Sequence, residues 1–174
     1  MIRRMTYIVA ATLLATAAPA VFAATEPTSK QFVKDAIESN LTEIKASELA
    51  LTKSQDPGVK QFAQRMIDDH KKTITQIETV AARKNIEVPD KADLMGRVEL
   101  KMLQHKSGAD FDKDYLERVN KDHEKAIKLF QEAASSPKVD GELQAVARKT
   151  LPTLEQHHHS AMQLASSASD ASRR

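Results

Sequence analysis

The chain has 174 residues, no cysteine, no tryptophan and only four glycines, which excludes a disulfide scaffold and, with abundant Ala, Lys, Glu, Gln and Leu, favours helix nearly throughout. Its formal charge of +2 comes from 26 basic against 24 acidic residues, and Arg3 and Arg4 supply the whole excess. Beyond them the chain is neutral and has few aromatic side chains for base stacking, so nucleic-acid binding is not expected.

The N-terminus reads as a secretory signal peptide over residues 1–23. Arg3 and Arg4 form a basic start, Tyr7 to Ala18 is an apolar run, and Val21-Phe22-Ala23 gives a small-residue cleavage pattern after Pro19. The alternative is a retained anchor, but the run is short for a membrane span and no second one follows. The mature chain is therefore expected in the periplasm or secreted, or peripheral to the outer membrane. It is expected to have no membrane span and to act with envelope protein partners if it acts by contact. One helical domain is expected over residues 24–166, with a disordered polar tail over 167–174.

The first helix starts at a capping box, Thr28 with Gln31, and carries Val33, Ile37, Leu41, Ile44 and Leu51 on its apolar stripe. Glu48 falls inside that stripe, and Glu43 falls on its flank beside Ala36, Asn40, Ser47 and Ala50. Asp56 before Pro57 ends this segment and caps the second helix, expected to run to Lys84. There Phe62, Met66, His70 and Ile74 recur every four residues, so a titratable ring sits where a leucine would be expected, just after Asp68 and Asp69. A shorter piece capped by Asp90 runs to His105, with Leu94, Val98 and Leu100 to Leu103 as its apolar positions; it reads as a covered crossover. Met66 and Met102 read as core filler.

After Ser107-Gly108, the third long helix spans about 110–134, with Leu116, Val119, His123, Ile127, Phe130 and Ala134 in line. Again a histidine occupies the centre. The fourth, about 141–166, turns Leu143, Val146, Ala147, Thr150, Leu154, Ala161 and Leu164 inward. His157 and His158 straddle that face, His159 points away, and Pro152 is expected to kink the helix.

Phe32-Val33-Lys34-Asp35-Ala36-Ile37-Glu38 matches Phe111-Asp112-Lys113-Asp114-Tyr115-Leu116-Glu117 at Phe, Lys, Asp and Glu, and the same register sets Glu43 opposite Asp122 and Ile44 opposite His123. Two helical hairpins with a crossover between them predict an all-α, ferritin-like up-down four-helix bundle, with a short crossover helix between the second and third long helices. Phe62 to His70, then Phe111-Asp112 with Tyr115 and His123, then Thr150 to Leu154 with His157, resemble the domain-of-unknown-function 4142 family. The resemblance covers about residues 30–164. It implies an exported bacterial protein with a ferritin-like bundle, and it implies no particular reaction.

A di-iron carboxylate bundle needs a Glu-x-x-His pair on each of two helices. Ile67, Asn120 and Leu154 stand three residues before His70, His123 and His157, and only Glu155-x-x-His158 fits, on a partly outward face. A ferritin-type centre is not expected. A looser site of His70, His123 and His157, with Glu43 from the remaining helix, would suit zinc, copper or nickel better than iron. Otherwise the rings bond Glu43, Glu48, Tyr115 or one another and only lock helix register, with no cofactor. Asp68 and Asp69 read as surface acids or as acceptors for His70. No catalytic triad, phosphate loop or cysteine nucleophile is visible. Two readings follow: a non-enzymatic envelope protein, stress-related or acting by contact, with structural histidines; or a metal-binding bundle that handles a metal or an oxidant.

Overall fold

The structure is a computed structural model that describes residues 27–171, with side chains to 168. The expected signal peptide lies outside the described residues. Five helices follow in order: α1 (Ser29–Lys53), α2 (Pro57–Arg83), α3 (Leu94–Gln104), α4 (Gly108–Ser135) and α5 (Gly141–Ala171). The four long ones form a bundle in which α1 neighbours α2 and α4, and α5 neighbours α2 and α4. Among the described residues no helix is long and apolar enough to cross a membrane.

Local chemistry sets the helix ends. Thr28 accepts from the Gln31 amide at 3.3 Å, but the Gln31 side chain turns forward to Asp35, so only half of the capping box forms. Asp56 accepts from the Gly58 and Val59 amides at 2.6 and 3.2 Å, with Pro57 behind it at the first helical position. At the far end of α2, Asn85 takes a left-handed φ of 53°, which asparagine tolerates better than most residues. Asp93, rather than Asp90, caps α3 through the Gly96 amide. α5 runs through Pro152, whose missing N–H removes the bond to the Arg148 carbonyl on an exposed face. It also extends past Ser166, so the segment expected as tail is helical to Ala171.

Both hairpins are antiparallel, but α2 and α4 point the same way. The start of α1 meets the end of α4 where Phe32 packs edge-on against Phe130, with centroids 5.2 Å apart, while further along Ser47 meets Tyr115. Arg83 at the end of α2 pairs with Glu142 at the start of α5. The chain from 84 to 107 must therefore travel the length of the bundle, as in ferritin-like topologies with one long crossover. α3 is the middle of that crossover and lies over the α1–α4 groove.

α3 seats there because Gly96 lets its backbone reach Thr42; a Cβ at this position would sit 2.5 Å from Thr42 Oγ1. Glu99 pairs with Arg118 of α4 at 2.8 Å, and Leu103 is buried. Leu100 is partly buried against the core, but Leu94, Met95, Val98 and Met102 are exposed, which corrects the expectation of a covered crossover and of Met102 as core filler. A helix of 11 residues resting on one groove buries one narrow side only.

The apolar core divides in two. One cluster holds Phe32, Ile37, Ile77, Val80, Phe130 and Leu143; the other holds Val59, Phe62, Met66, Phe111, Tyr115 and Leu116. The repeat-related Phe32 and Phe111 anchor opposite clusters, as an antiparallel α1–α4 pair requires. Between the clusters lies a polar layer: Asn40, Glu43, Ser47, His70, His123 and His157 are all buried. Such a layer is tolerated only where each polar group finds a partner.

Candidate metal centre

Within that layer one side chain from each long helix meets the others: Asn40 from α1, His70 from α2, His123 from α4 and His157 from α5. The three imidazoles form a nearly equilateral triangle, with every pair of ring centroids 5.5 Å apart. Their exposures are 4%, 1% and 1%.

The hydrogen bonds fix where the ring protons are. Asn40 Nδ2 donates to the Ala36 carbonyl at 2.6 Å, so its Oδ1 faces His70 and can only accept. His70 Nδ1, 2.7 Å away, must therefore carry the proton. His123 Nδ1 lies 3.0 Å from the Val119 carbonyl, which also only accepts. His157 Nε2 lies 2.9 Å from an Asp69 carboxylate oxygen. In neutral rings, the bare nitrogens are then His70 Nε2, His123 Nε2 and His157 Nδ1. One ring nitrogen from each histidine lies within 4.8 Å of the other two, and the bare His123 Nε2 and His157 Nδ1 are 3.4 Å apart.

Burial keeps the rings neutral. It pushes His70 well below the usual histidine range, with His123 and His157 adding repulsion, and it lowers His123 to about 4. His157 is lowered by burial too, partly offset by Asp69. No donor meets His70 Nε2. His123 Nε2 and His157 Nδ1 are both lone pairs in this tautomer set and cannot bond each other without an added proton. Three buried histidines this close together could hold a metal ion. Two nitrogens on one tetrahedral zinc are about 3.3 Å apart, for Zn–N bonds of roughly 2.0–2.1 Å. The outer bonds to Asn40, Val119 and Asp69 are the orienting contacts that such ligands require.

Glu43 does not join this group. Its carboxylate is buried one turn from Asn40, on the side of Asp122 and Arg118. Glu48 is half-exposed and pairs with Lys45 at 2.8 Å, and Tyr115 bonds Ser47, so neither is a partner for the rings. Asp69 serves His157 rather than His70, while Asp68 is exposed and bonded to Gln64. His158 lies near Glu124 at 3.7 Å, and His159 is exposed. Asn40 and the Val119 carbonyl are the parts that sequence reasoning missed. Asn40 lies on the line Ala36–Asn40–Glu43–Ser47–Ala50, all buried, whereas Leu41 and Leu51 are only partly so. The small residues mark the face where neighbouring helices approach. Replacing Asn40 by Ala is expected to cost about 1–3 kcal/mol, read from the urea midpoint, because the buried His70 Nδ1–H loses its acceptor.

An all-α bundle of four long helices, closed around a buried three-histidine cluster, is the class that fold and site define. The family model described as Domain of unknown function (DUF4142) matches residues 14–164, and the chain belongs to that family. Among solved structures, a DUF305 fragment from Deinococcus radiodurans is similar at a TM-score of 0.71 and 14% identity, over 80% of this chain and 96% of that one. A DUF305 protein from Streptomyces coelicolor is similar at a TM-score of 0.70 and 12% identity, over 82% and 94%. At these identities the likeness is one of fold. No curated protein matches the chain.

Proposed function

We propose that this protein is an exported, metal-binding bundle of the bacterial envelope that holds one transition-metal ion on His70, His123 and His157. The observation that carries this reading is the convergence of three bare imidazole nitrogens whose outer nitrogens are already engaged. Three neutral nitrogen ligands in a sulfur-free set favour zinc, copper or nickel over hard cations. The alternative, in which the histidines are purely structural, accounts for the outer bonds but leaves the inner lone pairs unused. Location in the periplasm, or at the periplasmic side of the outer membrane, follows from the signal-like N-terminus.

The test is elemental analysis of the protein purified from its own envelope. Close to one zinc, copper or nickel per chain is expected, and it should vanish in the His70→Gln/His123→Gln double variant. A metal content near zero, in protein isolated without chelator and unable to take up added metal, would overturn the reading.

A further inference from the structure

A second polar site lies beside the histidines, under α3. A cavity of about 370 Å³ opens between α1, α3 and α4. Six carboxylate residues line it: Asp35, Glu38, Glu43, Asp93, Glu99 and Asp122; Arg118 and Lys125 are its basic residues. Most of these acids are engaged elsewhere. Glu38 pairs with Lys34, Asp35 accepts from Gln31, Asp93 caps α3, and Glu99 holds Arg118. Asp122 pairs with Arg118 at 3.4 Å and with Lys125 at 2.9 Å.

Glu43 is the exception. It is 2% exposed, its side chain lines the cavity, and neither carboxylate oxygen has a hydrogen-bond partner. After burial itself, the strongest influence on it is another carboxylate, Asp122, its counterpart in the internal repeat and close enough to share a proton with it; Arg118 opposes their repulsion. Two carboxylates brought together from two helices need a proton or a cation between them. The cavity has room for several waters, enough for a cation that keeps part of its hydration shell.

We propose that Glu43 and Asp122 form a second metal site, separate from the histidines, that takes a hard divalent cation of the magnesium or manganese type. Such ions are held by one or two carboxylates and retain several waters, which matches an acid pair in a wet cavity. The ligand sets then sort the ions: oxygen donors under α3, nitrogen donors in the bundle axis.

Manganese(II) alone is the probe, followed by loss of its free-ion electron paramagnetic resonance signal in a titration of the full chain. One ion per chain is expected both in the natural protein and in His70→Gln/His123→Gln, whereas Glu43→Gln and Asp122→Asn should each weaken it about tenfold or more. Circular dichroism and urea unfolding establish that each variant is folded. No binding by the natural protein at millimolar manganese would overturn the proposal, as would undiminished binding in folded Glu43→Gln. Binding lost only in the histidine variant would overturn it as well, by moving the ion to the bundle axis.

Discussion

Metal-free protein is expected to be most stable near pH 6.5 and to lose several kcal/mol on acidification to pH 4. An unfolded histidine takes up its proton near 6.5, but His123 in the fold does so only near 4. Between those values the unfolded chain binds more protons than the native one, so stability falls as pH falls. The stabilisation is fully present above 6.5 and fades as pH drops towards the folded value. His123 alone accounts for about 3 kcal/mol at pH 4, and His70 and His157 act in the same direction. Glu43 opposes them. Burial beside Asp122 raises its carboxyl from 4.5 to about 8, so between those values the native state binds the extra proton and stability falls as pH rises. Below 6.5 three histidines outweigh one carboxyl; above it Glu43 acts alone and the slope reverses. Urea midpoints from pH 4 to 8.5, with chelator present, measure this profile. Glu43→Gln should remove the alkaline fall, and His70→Gln/His123→Gln should flatten the acid one. A flat acid limb in the natural protein would contradict the burial and neutrality of the rings.

Zinc is expected to raise the thermal midpoint by roughly 8–16 °C when free ion exceeds the dissociation constant about a thousandfold. Binding to the native state alone stabilises it by about 4 kcal/mol at that excess. For a domain of this size each kcal/mol moves the midpoint by roughly 2–4 °C. The three rings need not shed protons at neutral pH, because burial already holds them neutral. Zinc should therefore still bind at pH 6, where an exposed histidine cluster is largely protonated. Scanning calorimetry with and without zinc measures the shift, and His70→Gln/His123→Gln should abolish it. An equal shift in that variant would place the zinc elsewhere, with His157 to His159 the first segment to test.

Much of this protein was legible along the chain. The helical period of Val59, Phe62, Met66 and Ile77, the caps at Thr28 and Asp56, and the match between Phe32 and Phe111 were enough for four long helices in two hairpins. That a histidine stood on each of two apolar stripes was equally plain, because periodicity is a local property of sequence. The family resemblance holds over the matched residues.

What the tertiary structure decided was how those faces meet. Helical spacing gives a residue's angle around its own helix but not its height against a neighbour, so the grouping of His157 with His70 and His123 stayed a candidate until α2, α4 and α5 were docked. The partners follow from the same docking: Asn40 and the Val119 carbonyl orient two rings, and Asp69 serves the ring of α5 instead of its own helix. Glu43 went the other way, one turn along α1 and into the cavity beneath α3, since Gly96 seats the crossover there. The sequence by itself determined the bundle and the presence of polar residues in its core. Only the folded chain decided which lone pairs converge, because convergence depends on contacts between helices that no spacing within one helix encodes.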